Sequence, residues 1–147
     1  MAIAIGSDHA GFALKQALRA WLDEKSIEYT DFGCFAESPA ADYADFSYRV
    51  ASAVSSGICS RGLVICGTGI GAMITANKVS GIRAALCCSD YMAEMARRHN
   101  DANIIALGGR TTEPEDAIRM LRIFLDTPFE GGRHLGRVDK IHQLTGR

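Results

Sequence analysis

Short apolar runs alternate along this chain with longer stretches in which apolar residues recur every three or four positions. The short runs are "AIAI" (2–5), "IEYT" (27–30), "LVIC" (63–66), "IRAALC" (82–87) and "NIIAL" (103–107). Their length and composition predict strands. Between them, Leu14, Ala17, Leu18, Trp21 and Leu22 share one helical face, and Phe46, Val50, Ala53 and Val54 repeat that spacing in the next segment. Thr112 and Glu115 form a T-x-x-E pattern that predicts a capping box, opening a helix with Ile118, Leu121, Phe124 and Leu125 as its core face. Strands alternating with helices imply a parallel sheet covered on both faces, an α/β three-layer fold with five strands.

"DTPFEGG" (126–132) ends the last of these helices with a proline and two glycines. A polar helical segment follows, and residues 131–147 read as a C-terminal helical extension of a single domain spanning 1–147. Its weak apolar stripe, Leu135, Val138, Ile141 and Leu144, calls for a partner surface, and another subunit is the expected one.

Composition narrows the class. A chain of 147 residues can bury a core without disulfides or metal. Hydrophobic residues at 48% and charged residues at 22% argue against both a disordered chain and a membrane protein. The apolar start "MAIAIGSDHAG" lacks a basic region before it, so it reads as a first strand and not a signal peptide, and a cytoplasmic location is expected. The five cysteines form an odd set without a C-x-x-C pair, which points to reduced thiols and away from a disulfide framework or a zinc site. In residues 131–147, Arg133, Arg137, Lys140 and Arg147 stand against Asp139, a local charge of +3. Such a tail suits a small anion and falls short of the basic surface that nucleic-acid binding uses.

In an open parallel sheet, ligands bind outside the carboxyl ends of the strands. Four loops therefore carry the candidate chemistry: "GSDHAG", "CGTGIGA", "CSD" and "GGRTT". The first offers Asp8 and His9. The second offers Cys66, Thr68 and backbone N–H groups at a helix start, which suit an anion or an oxyanion that develops during reaction. Gly67, Gly69 and Ala72 also satisfy G-x-G-x-x-G/A, with Asp90 after a later strand about where a ribose-binding acid would stand, so this motif alone leaves a dinucleotide module open. A C-x5-R phosphatase is excluded because position 72 is Ala.

Cys34, Cys59, Cys87 and Cys88 read as core thiols. Cys66 differs, because it closes its strand where the N–H dipoles of the next helix favour a thiolate, the form that serves as nucleophile or proton-transfer base. His99 lies at a helix end, where the dipole favours a surface histidine as readily as a functional one. Arg133 and Arg137, at i and i+4, can clamp a phosphate or simply line a solvated face. Met73, Met92, Met95 and Met120 read as core.

With these residues placed, the sequence resembles the B-type ribose-5-phosphate isomerase family, which includes the galactose-6-phosphate isomerase subunits. The likeness runs nearly end to end, through "GSDHAGF", "CGTGIG", "NKVSGIRAALC", "ARRHNDANIIALGGR" and "FEGGRH" followed by Arg137. It implies aldose–ketose isomerisation of a sugar phosphate on a Rossmann-like fold assembled as a homodimer or homotetramer, with no metal or organic cofactor, no nucleic acid and no membrane. Ribose 5-phosphate leads as substrate; allose 6-phosphate, galactose 6-phosphate and four-carbon tetrulose phosphates stay open. Carried over by motif, Cys66 is the base moving a proton between C1 and C2, while Thr68 and His99 assist ring opening. Asp8, His9, Tyr43 and Asn100 contact the sugar, the N–H groups from Gly67 through Gly69 to Gly71 stabilise the enediolate, and Arg110, Arg133 and Arg137 hold the phosphate. The resemblance also places the site between two subunits. Three departures stand out: Ala44 follows Asp42 and Tyr43 where relatives often have proline, Ser7 precedes Asp8, and Thr75 occupies a position where some relatives carry a glutamate base.

Overall fold

In the computed structural model, which describes residues 2–146, the apolar runs form five parallel strands. These are β1 (Ile3–Ser7), β2 (Tyr29–Asp31), β3 (Arg61–Cys66), β4 (Ala84–Leu86) and β5 (Ile104–Gly108). Six helices accompany them: α1 (Phe12–Glu24), α2 (Tyr43–Ser55), α3 (Ile70–Ala76), α4 (Asp90–Asn100), α5 (Pro114–Asp126) and α6 (Leu135–Thr145). A 3-10 turn at Gly132–His134 leads into α6.

The strand order is β2-β1-β3-β5-β4. The three inner strands are buried along nearly their whole length because helices cover both faces, so continuous apolar runs replace a polar–apolar alternation. Alternate residues still go to opposite sides. Ile3, Ile5, Leu63, Ile65, Ile105 and Leu107 pack with α1, α4 and α5. Ala4, Val64, Cys66, Ile104 and Ala106 pack with α2 and α3. Cys66 is thus the last side chain of β3 on the α2–α3 side. No helix among the described residues is long and apolar enough to cross a membrane.

Tertiary pairing moves the strand ends away from the apolar runs. β1 extends through Gly6 and Ser7 because these pair with Val64 and Ile65 of β3, and β3 starts early because Arg61 faces Ile3. The edge strand β4 has a neighbour on one side only, and the predicted run 82–87 shortens to Ala84–Leu86. The capping box does not form. Glu113 is the N-cap of α5 without a side-chain cap, and Pro114 opens the helix. Proline fixes its own φ and holds the residue before it extended, which moves the start past Thr112. Met120 is buried as expected and Met73 packs at the margin of the core, but Met92 is exposed. Cys88 is likewise exposed, whereas Cys34, Cys59 and Cys87 are buried.

One core residue departs from the apolar pattern. Lys15, on the inner face of α1, is fully buried and donates to Asp31 at 2.7 Å and to the Cys34 carbonyl. Arg19 adds a second contact to Asp31 at 3.3 Å. The pair ties α1 to β2 and to the loop that leaves it.

Candidate active site

The chain turns from one side of the sheet to the other between β1 and β3, so the crevice outside their carboxyl ends is the topological switch point where open α/β sheets hold ligands. The loops after β1 and β3 meet there. Asp8 donates its N–H to the Ile65 carbonyl at 3.1 Å, and its Oδ1 accepts from the Gly11 N–H at 2.9 Å, which fixes the turn into α1. His9 is held through Nδ1, 3.1 Å from both the nitrogen and the oxygen of Ala41, and this leaves Nε2 on the other side of the ring. β5 adds a third loop. Gly109 donates to the Cys66 carbonyl at 2.7 Å and Arg110 to the Gly67 carbonyl at 2.9 Å, so the Arg110 side chain lies across Gly67.

Cys66 is buried, and its Sγ accepts a hydrogen bond from the Gly69 N–H at 3.1 Å. That contact depends on backbone shape. Gly69 has φ +79°, and a Cβ there would stand 2.9 Å from the Leu107 carbonyl carbon. Only glycine combines that conformation with so close an approach to β5. Thr68 is exposed beside it, its Oγ1 accepting from the Ile70 N–H at 3.4 Å.

Tyr43 enters from α2, with its ring packed over Gly71. Asp42 caps that helix by accepting from the Ala44 N–H at 2.9 Å, a bond that proline at position 44 could not make. The departure at Ala44 therefore exchanges a rigid ring for a capping hydrogen bond. Thr75 donates to the Gly71 carbonyl within its own helix at 2.9 Å and offers no base.

Of the four loops, the one after β4 stays outside this group. β4 is the sheet edge, separated from β3 by β5, and Asp90 there is bonded to Arg119 at 2.6 Å. The acid that a dinucleotide reading needs beside the glycine loop is therefore committed elsewhere.

A second group forms at the opposite end of the sheet. α4 runs back across the sheet from its start beside the carboxyl ends, so His99 and Asn100 lie near the amino ends of β4 and β5. The loop after α5 joins them, with Glu130 donating its N–H to the Arg98 carbonyl at 3.0 Å. His99 and His134 stack with centroids 4.2 Å apart and planes within 9°. Glu130 sits against both rings, at 3.9 Å from His99 and 3.7 Å from His134, and is itself held by Arg98 at 3.0 Å. Arg133 and Arg137 are exposed on the same side. Burial, His99 and the two arginines push the His134 imidazole below its ordinary range, against the pull of Glu130.

His99, Glu130 and His134 place ligand atoms within 4.8 Å of one another, a spacing that could hold a metal ion. The surrounding charge works against a dication. Arg98 already occupies Glu130, and Arg133 and Arg137 bear on His134. The same charge favours an anion.

The residues carried over by motif thus fall into two sets. Cys66, Thr68, Gly67, Gly69, Gly71, Asp8, His9, Tyr43 and Arg110 surround the switch point, and His99, Asn100, Arg133 and Arg137 lie across the molecule. Between them runs β5, about 13 Å at roughly 3.3 Å of rise per residue. A groove of about 840 Å³ follows the β4 edge, lined by Ile82, Tyr91, Met92, Met95, Asn100 and Ile141 among others. It includes Asn100 but not Cys66, and exposed Tyr91, Met92 and Ile141 give it an apolar rim.

Comparison with known proteins agrees over the whole fold. A family model described as ribose/galactose isomerase matches residues 3–141. The chain is 46% identical over 144 residues to ribose-5-P isomerase B of Listeria innocua, covering 98% of this chain and 97% of that protein. It is 42% identical over 145 residues to ribose-5-phosphate isomerase B of Escherichia coli, covering 99% and 97%. The solved structure of ribose-5-phosphate isomerase B from Clostridium thermocellum superposes with a TM-score of 0.97 at 49% identity, covering 99% of this chain and 98% of that one.

Proposed function

The chain belongs to the ribose/galactose isomerase family, and on that premise we propose that it interconverts ribose 5-phosphate and ribulose 5-phosphate with Cys66 as the base. Its activity is aldose–ketose isomerisation of a sugar phosphate. The observation that carries the assignment of Cys66 is its place at the switch point, with Sγ beside the Gly69 N–H and with Asp8, His9 and Arg110 on the flanking loops.

The chemistry needs three things from these residues. A base must take the proton from C2 of the open-chain aldose and return it to C1, while the O2 hydroxyl proton passes to O1, and Cys66 occupies the role of that base. The enediolate that forms in between needs donors already aimed at its oxygens, because a preorganised dipole stabilises developing charge without reorganisation. The backbone from Gly67 to Gly71 supplies them. An anchor must hold the far end of the sugar, and Arg110 together with Arg133 and Arg137 binds the phosphate, supplying binding energy remote from the reacting carbons.

His99 and Asn100, with Arg133 and Arg137, reach that site from a second copy of the chain. Their distance from Cys66 within one chain supports this reading, and so does the apolar groove beside Asn100, which a second subunit would cover as a homodimer or within a homotetramer. Ring opening by His99 then precedes proton transfer by Cys66.

The test is turnover of four-, five- and six-carbon aldose phosphates by the wild type and by Cys66→Ala. The variant should keep the fold and bind substrate with similar affinity, while kcat falls by about 10²-fold or more, as loss of a general base predicts. Wild-type turnover in Cys66→Ala would remove the thiol from the mechanism, and the preferred panel member names the sugar.

A further inference from the structure

The loop that carries Arg133 also carries His134, for which phosphate binding has no use. Gly131 and Gly132 take left-handed φ values of +66° and +53°, and the reversal they create folds His134 back against α4. There it is only 3% exposed, although its neighbours Arg133 and Leu135 face solvent. A buried histidine in so polar a loop needs a reason, because desolvating an imidazole is unfavourable unless its nitrogens find partners.

What His134 touches supplies the reason. Its face lies on the His99 ring, and its Nε2 lies 3.7 Å from Glu130 and 3.5 Å from the Nε of Arg133, which donates to it. Burial, together with the neighbouring His99, Arg133 and Arg137, disfavours protonation of this ring. Glu130 touches both imidazoles with one carboxylate and is fixed in turn by Arg98. His99, in contrast, has about a third of its side chain exposed. The His99 ring is thus covered on one face and partly open to solvent.

We propose that His134 is a positioning residue for His99: a flat, immobile platform, steadied by Glu130, on which the His99 ring rests with its outer edge presented to the sugar of the second subunit. The inference rests on the reading of His99 as the ring-opening group. A histidine on an α-helix end has free rotation about two side-chain bonds, and ordering it beforehand removes that entropy from the reaction step. Stacking against a neutral partner achieves this without adding a charge beside the one that His99 gains as it takes up a proton. The charged groups facing the pair are Glu130 from the loop, Arg98 from α4, Arg133 from the 3-10 turn and Arg137 from α6.

Two variants separate a platform from other roles. His134→Ala removes the flat surface, and His134→Phe keeps it without a ring nitrogen. With ribose 5-phosphate, His134→Ala should lose about tenfold in kcat while KM stays within about twofold, and His134→Phe should recover to within about threefold of wild type. Equal losses in both variants, a rise in KM in place of a fall in kcat, or no loss at all would overturn the platform role. A second readout does not use activity. In NMR spectra the His99 ring protons should show cross-peaks to the His134 ring and carry a ring-current displacement that His134→Ala abolishes. Absence of those cross-peaks would mean that the rings do not meet in solution. If wild-type protein turns over no aldose phosphate, the isomerase reading itself falls and takes this inference with it; an active wild type with unaffected variants removes the inference alone.

Discussion

Two inactive variants of this protein should restore each other when mixed. Cys66 closes β3 at the carboxyl end of the sheet, and His99 stands in the last turn of α4 near the amino ends of β4 and β5. The five residues of β5 separate the two ends of the sheet by about 13 Å, against a hydrogen-bond reach of about 3 Å. If a working site takes Cys66 from one subunit and His99 from its twofold mate, then Cys66→Ala and His99→Asn each disable both sites of their own homodimer. In a heterodimer the two lesions fall together in one site, and the other site receives an intact Cys66 and an intact His99. Unfolding an equimolar mixture and refolding it produces heterodimers as about half of all dimers, each with one good site of two, so activity should return to about a quarter of wild type. The same fraction holds for a tetramer built from such dimers. The assay is isomerase turnover before and after co-refolding, with each variant refolded alone as control. Activity that never exceeds the sum of the separately refolded parents would refute the shared site and place Cys66 and His99 in independent roles.

Gly69→Ala tests the loop that serves Cys66. The left-handed φ and the approach of a new Cβ to the Leu107 backbone together should cost about 2–4 kcal/mol in urea unfolding, with kcat reduced as the N–H leaves Sγ. A change under about 0.5 kcal/mol with normal turnover would show that the loop tolerates a side chain there, contrary to its geometry. Cys87 supplies a pH prediction. Burial pushes its thiol up from 9.0 to about 12, so the unfolded chain loses this proton first as pH rises. Its contribution to stability is intact below pH 9, and about 1 kcal/mol of it should be gone by pH 10, the loss continuing to pH 12. Urea midpoints at pH 8 and pH 10 should therefore differ more in the wild type than in Cys87→Val, and equal differences would mean that the thiol is not desolvated.

Much of the fold follows from local pattern. Runs such as "LVIC" and "NIIAL" are apolar on both faces, which suits only strands covered from both sides, and the intervening helical faces supply the cover. Residue types at loop positions also marked Cys66, Thr68, Asp8 and His9, because ligands gather at the carboxyl ends of parallel strands whatever the order of those strands. Boundaries followed longer-range forces. Gly6 and Ser7 became strand because β3 offered partners, Met92 and Cys88 stayed at the surface because their edge of the sheet has no neighbour, and Pro114 displaced the capping box that Thr112 and Glu115 suggested.

Strand order lies beyond any one-dimensional pattern, since nothing local tells β4 to cross over β5. That crossing puts the "GGRTT" loop beside Cys66 and sends "CSD" to the edge. Lys15 is a further case, for a lysine inside an apolar stripe is explained only when Asp31 and the Cys34 carbonyl arrive from distant positions to meet its charge. The stacking of His99 on His134 is the clearest. Thirty-five positions apart in the chain, the two histidines carry no shared periodicity, and only the chain reversal at Gly131 and Gly132 against the end of α4 brings the rings together. Local chemistry specifies which groups a chain owns and which elements carry them. Packing of those elements in three dimensions sets which groups meet, because contact is a property of distance in space and the sequence records distance only along the chain.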